Sequence, residues 1–139
     1  MSWRILKGLD VRLLVDTHVL LWAIASPERI PAAWRERLES PENEILFSAA
    51  SIWELAIKVQ IGRLDLGVTL LEIAEEAERM GFRELPVVSP HASGVQHLPM
   101  LHRDPFDRLL VSQAIHEPAR LLTADRILAE YSELVELLG

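Results

Sequence analysis

Short apolar runs recur along the chain at separations too long for hairpins, and each is joined to the next by segments of helical periodicity. Leu13-Leu14-Val15, Ile45-Leu46-Phe47 and Arg120-Leu121-Leu122-Thr123 read as buried strands. Phe82 to Val88 supplies a further strand, interrupted by Pro86, and Leu134 to Leu138 a fifth. Helical spacing predicts helices over Thr17 to Ala25, Pro31 to Leu38, Ala49 to Ile61, Thr69 to Met80, Ser89 to Leu98 and Pro105 to Glu117. Ser26-Pro27, Gly62, Gly81 and Pro118 punctuate them, and Pro105 suits a first helical turn. A strand that returns parallel to its predecessor needs a crossover, so the alternation predicts an α/β fold: a three-layer α/β/α sandwich around a parallel sheet of four to five strands.

A length of 139 residues, half of them hydrophobic, suits one domain with one sheet-centred core, spanning 1–139. Cysteine is absent, which excludes disulfides and thiolate metal sites. The start Met-Ser-Trp-Arg-Ile-Leu-Lys lacks the apolar core of a signal peptide, and runs such as Val19 to Ala25 are too short to span a bilayer, so a soluble, cytoplasmic protein without membrane association is expected. A formal charge of −7 argues against a nucleic-acid coating protein, yet it is compatible with an enzyme that meets phosphate through cations held by acids.

Four acids occupy comparable places: Asp16 just after the first strand, Glu54 early in the helix after the second, Asp107 early in a helix, and Asp125 just after the fourth strand. In a parallel sheet the carboxyl ends of the strands, and the helices that begin there, share one rim. Singly, each acid has a structural explanation. Asp16 and Asp125 are natural helix caps, Ser51-Ile52-Trp53-Glu54 has capping-box spacing, and in Asp104-Pro105-Phe106-Asp107 the first Asp fits the cap and the last the first turn. Together they repel one another, and only a cation among them makes the gathering affordable. Hard oxygen donors without His or Cys spacing suit Mg²⁺ or Mn²⁺. None of the five His forms a His-x-His or His-Glu-x-x-His pattern, so zinc is not expected.

The segments Leu-Leu-Val-Asp-Thr-His-Val-Leu-Leu-Trp (13–22), Ser-Ala-Ala-Ser-Ile-Trp-Glu-Leu-Ala-Ile-Lys (48–58), His-Arg-Asp-Pro-Phe-Asp-Arg-Leu-Leu-Val-Ser-Gln-Ala (102–114) and Leu-Leu-Thr-Ala-Asp (121–125) resemble PIN domains of the VapC-toxin type. The resemblance runs from Leu13 to the C-terminus and leaves residues 1–11 as an N-terminal extension. It implies RNA cleavage with Mg²⁺ or Mn²⁺, dimerisation, and inhibition by a small cognate VapB-like antitoxin. Position by position, it carries the acidic quartet onto Asp16, Glu54, Asp107 and Asp125, as metal ligands and catalytic groups. It also places the Thr123 hydroxyl behind the ligands, and Asp104, read as a helix cap, is positioned to touch a metal-bound water as well. On that reading water activated by the metal attacks phosphorus, leaving a 5′-phosphate and a 3′-hydroxyl, with Glu54 or Asp107 taking the proton.

Lys58, Arg103, Arg108 and Arg126 neighbour the presumed site and are candidates for RNA phosphate contacts, balanced against salt bridges to the same acids. Trp22, Trp34 and Trp53 fall in amphipathic helices, where core packing is the default. Two other settings share these motifs: a PIN nuclease of RNA processing or decay, and a non-catalytic RNA-binding module. A phosphoacceptor receiver domain requires an Asp after the third strand, where this chain has Ser89-Pro90.

Overall fold

The computed structural model describes residues 11–139; the N-terminal extension inferred from sequence lies outside the described residues except for Val11. Five strands, β1 (Arg12–Val15), β2 (Glu44–Ser48), β3 (Arg83–Leu85), β4 (Arg120–Thr123) and β5 (Val135–Leu137), form one sheet in the order β3-β2-β1-β4-β5. Every neighbouring pair is parallel. This order places β1 at the centre and differs from the 2-1-3-4-5 order of receiver-like folds, which removes that alternative.

The helices are α1 (Thr17–Ala25), α2 (Ala32–Glu39), α3 (Ala49–Gln60), α4 (Leu70–Arg79), α5 (Ser89–Gly94) and α6 (Pro105–His116). Each starts for a local reason. The Asp16 carboxylate caps α1 by accepting from the Val19 N–H, and Thr69 with Glu72 closes a capping box on α4. Asp104 caps α6, with Pro105 at its first position. None of the described helices is long and apolar enough to cross a membrane.

Alternation along the strands builds the two apolar layers. Leu13, Val15, Ile45, Phe47 and Leu122 face one way, against Val19, Leu20, Ala74 and Ala77 of α1 and α4. Leu14, Leu46 and Leu121 face the other way, against Leu110, Val111 and Ala114 of α6. Leu14 and Leu121 are fully buried, so Leu14→Ala should leave a cavity and cost about 2–5 kcal/mol, read as a lower urea midpoint at unchanged slope.

Three boundaries depart from the sequence reading. Strand β3 is confined to Arg83–Leu85, because Pro86 has no N–H to continue the ladder. The helix expected over Ser89 to Leu98 ends at Gly94 and passes into a 3₁₀ turn over Val95–His97. The capping box expected at Ser51 to Glu54 is not a cap, because α3 starts a turn earlier, where the Ser48 hydroxyl accepts from the Ala50 N–H at 3.0 Å. Ser51 and Glu54 therefore project from within the helix, and both are buried.

Candidate active site

The carboxyl ends of β1 and β4 are adjacent, since Val15 pairs with Leu122. Asp16 and Thr123 consequently meet. The Thr123 hydroxyl donates to Asp16 Oδ2 and accepts from the Asp125 N–H at 3.0 Å, so one buried hydroxyl spaces the two acids that follow the central strands. On the next strand over, β2 delivers α3 and turns Glu54 inward. Thr17 Oγ1 donates to Glu54 Oε1 at 2.7 Å and lies 2.9 Å from Ser51 Oγ, while Lys58 one turn on pairs with Glu54 Oε2 at 2.9 Å. Asp107, in the first turn of α6, completes the rim; a shallow cavity of about 270 Å³ is lined by Asp16, His18, Trp22, Asp107 and Asp125.

His102 is a member of this cluster that the sequence patterns did not reveal. Its Nδ1 accepts the Asp104 N–H at 3.0 Å, so the ring proton is on Nε2, which donates to Asp125 Oδ2 at 3.0 Å and lies 3.4 Å from Asp107 Oδ2. The three side chains bring candidate ligand atoms within 4.8 Å of one another. With its Nε2 protonated, His102 serves the carboxylates as a donor and leaves oxygens to meet a cation. The sequence signal available for it was only its place at the head of the segment that carries Asp104 and Asp107.

The acids feel one another. Burial, followed by the charges of Asp104, Asp16 and Glu54, pushes the Asp107 carboxyl up to about 7. Burial also raises Asp16, against the lowering effect of its bonds from Thr123 and the Val19 N–H. Carboxylates that raise one another's pKa, with Lys58 committed to Glu54, form a donor set short of positive charge. All are hard oxygens, and the residues present therefore fit Mg²⁺ or Mn²⁺.

The basic candidates separate. Lys58 is paired with Glu54 and lines a groove beside it, whereas Arg103 and Arg126 are exposed and form no ion pair among the described residues. Arg108 departs from the expectation of a phosphate contact. It is buried, and its guanidinium donates to the carbonyls of Pro99 (2.8 Å) and Val95 (3.3 Å) and to the Tyr131 hydroxyl (3.1 Å). That hydroxyl in turn accepts from the Leu101 and His102 N–H groups, so Arg108 pins the segment that carries His102. Arg108→Ala should lower stability by about 1.5–3 kcal/mol in urea titration.

Asp104 behaves as the cap expected of it, accepting from the N–H groups of Phe106 (2.8 Å) and Asp107 (3.3 Å). Trp22 and Trp34 pack against the core as expected, but Trp53 is 61% exposed.

The PIN domain family profile matches residues 13–134, which include all four rim acids. The chain belongs to the PIN-domain family. Ribonuclease VapC22 of Mycobacterium tuberculosis is 32% identical to this PIN domain over 122 residues, covering 85% of this chain and 90% of that protein. Among solved structures, VapBC2 from Rickettsia felis, bound to a DNA fragment from its promoter, aligns at a TM-score of 0.68 and 17% identity, over 93% of this chain and 100% of the matched chain. FitAcB from Neisseria gonorrhoeae aligns at 0.62 and 20% identity, over 91% and 96%. These last two likenesses are of fold alone.

Proposed function

We propose that this PIN domain is a divalent-metal-dependent endoribonuclease, acting as the toxin of a toxin-antitoxin pair and held in check by a small VapB-like partner. The observation that carries the reading is the convergence of Asp16, Glu54, Asp107 and Asp125 on one sheet edge, with the Asp107 carboxyl raised to about 7 by burial and by its acidic neighbours. The ribonuclease name of the VapC22 relative supports the substrate class, and the VapBC2 structure supports the kind of partner. By its resemblance to VapC-type proteins it is read as a homodimer working in the cytoplasm.

Mg²⁺ or Mn²⁺ held by the four acids would neutralise charge building on the phosphodiester and sharpen the acidity of water beside it. The remaining chemistry belongs to the side chains. Glu54 has both oxygens engaged, one by the Thr17 hydroxyl and one by Lys58, whereas among the described residues the Asp107 carboxylate forms no hydrogen bond, and its one ion pair is the 3.4 Å approach to His102. Asp107 is therefore the acid free to take the proton of the attacking water. The new bond forms between water oxygen and phosphorus, the bond from phosphorus to the 3′-oxygen breaks, and that oxygen is protonated from solvent. Thr123 and His102 hold Asp16 and Asp125 while this happens.

Incubation of purified protein with a labelled RNA should give cleavage in Mg²⁺ or Mn²⁺, arrest in chelator, and products with 5′-phosphate and 3′-hydroxyl ends. Cleavage that persists in chelator with 2′,3′-cyclic phosphate ends would place the nucleophile on the ribose and refute the reading. For the partner, coexpression with the product of a short adjacent reading frame should relieve growth arrest; arrest unchanged by it would argue for an RNA-processing nuclease instead.

A further inference from the structure

A groove of about 360 Å³, sharing no lining residue with the 270 Å³ cavity, runs beside Glu54 between α3 and the segment entering α6, with walls that include Lys58, Ile61, Arg63, Arg103 and Phe106. Arg63 reaches it because Gly62, at φ +77°, turns the chain back at the end of α3, and the Arg63 N–H closes that turn on the Lys58 carbonyl at 2.9 Å. Arg103 stands on the opposite wall. Both arginines are exposed, and neither side chain forms an ion pair or hydrogen bond among the described residues. Glu54 and Asp104 also line the groove, but Glu54 is paired with Lys58 and Asp104 caps α6, so in a chain of formal charge −7 the two guanidinium groups are left as positive charge facing the groove.

An aromatic pair lies at the Phe106 wall. The Trp53 ring meets Phe106 edge-to-face at 5.1 Å, with an interplanar angle of 74°, and remains 61% exposed, so an indole face is open to solvent one residue from Glu54. A large exposed aromatic beside paired cations is the combination that holds a single strand, whose phosphates meet the cations while a base stacks on the ring.

We propose that this groove is the track for single-stranded RNA on the Glu54 side of the cleavage site, with Arg63 and Arg103 gripping phosphates and Trp53 stacking an unpaired base. The proposal rests on the ribonuclease reading and names the path its substrate takes. Charge and position together select the occupant: an apolar peptide would cover the two guanidinium groups without counterparts, whereas a polyanion complements them, and the groove reaches the acidic rim at Glu54. A second copy of this acidic chain also carries carboxylates that can meet them, and self-association is the outcome that distinguishes it.

The test is fluorescence anisotropy with a short fluorescein-labelled single-stranded RNA in Mg²⁺, in an Asp107→Asn background so that the strand stays intact. The double variant Arg63→Ala/Arg103→Ala should bind about 10-fold more weakly at low salt, and the slope of log affinity against log salt should fall in magnitude by about 1.4, the value for two phosphate contacts on a single strand. Trp53→Ala should weaken binding by about 10-fold, with Trp53→Phe restoring most of it. In the active background the same changes should raise KM. Parental affinity and salt slope in the double variant would overturn the proposal, as would variants that disrupt self-association or partner binding and leave RNA affinity unchanged, since the groove would then be a protein interface. The two readings fail separately. A parent that cleaves RNA while its arginine variants bind normally sinks the groove alone, whereas a parent that binds RNA through these arginines but cleaves none in Mg²⁺ or Mn²⁺ sinks the nuclease reading alone.

Discussion

Asp16→Asn is expected to abolish RNA cleavage, with a loss of about 10³-fold or more, while leaving the metal-free fold as stable as the parent or more so. Asp16 ends the central strand, is nearly inaccessible, and has its charged form disfavoured by burial. An asparagine can keep the cap, because its carbonyl oxygen can still accept the Val19 N–H that Asp16 Oδ1 accepts at 2.9 Å. Its amide can donate to the Thr123 hydroxyl, which now donates to Asp16 Oδ2 and can reverse its role. What asparagine lacks is the negative charge that draws a divalent cation, and removing it also relieves the repulsion felt by Asp107. A thermal melt in chelator should therefore show no loss, alongside a cleavage assay near background. A variant that cleaves at the parental rate in excess Mg²⁺ would remove Asp16 from the site.

The second large effect is a pH dependence that reverses the ordinary behaviour of a carboxylate. Burial and its acidic neighbours push the Asp107 carboxyl up to about 7 in the folded chain, against the ordinary 3.8 of an exposed aspartate. Between these values the folded chain holds a proton that the unfolded chain has released. Fewer protons are then bound in the unfolded state, so stability falls as pH rises from about 4 to about 7 and levels off above. The raised Asp16 acts in the same direction. Melting in chelator across this range should show a Tm that declines with pH, and Asp107→Asn should flatten much of that decline. Divalent cation must displace the proton to bind, so added Mg²⁺ or Mn²⁺ should raise Tm more at pH 8 than at pH 5 and release protons near neutrality. A metal-free Tm that rises steadily from pH 4 to 7 would contradict the crowded-carboxylate account.

Several parts of this architecture are legible in the residues because they depend on near neighbours. Leu13-Leu14-Val15 announces a buried strand, Asp16 its cap, and Pro105 the first turn of α6, and each element appears where those local rules put it. The rim is legible for the same reason, since parallel topology brings strand ends and helix starts to one edge. What escaped depends on the angle between successive residues of a helix. Arg108 follows Asp107 in sequence, yet about 100° of helical rotation takes it off the rim and into the protein beneath Pro99 and Tyr131. The same rotation separates Glu54, turned inward, from Trp53, turned out to solvent. His102 was hidden because its meaning lies in Asp125, 23 positions away and reached only through the packing of the segment before α6 against the end of β4.

The claim on which all of this depends is that the four carboxylates act together as one cation site. Mn²⁺ binding, followed by electron paramagnetic resonance or calorimetry on purified protein, tests it without reference to any substrate. The account predicts that the parent binds Mn²⁺ with an affinity that weakens below pH 7, and that Asp16→Asn, Glu54→Gln, Asp107→Asn and Asp125→Asn each weaken it by about 10-fold or more. Mn²⁺ affinity equal to the parent's in all four variants, with the fold intact, would contradict it.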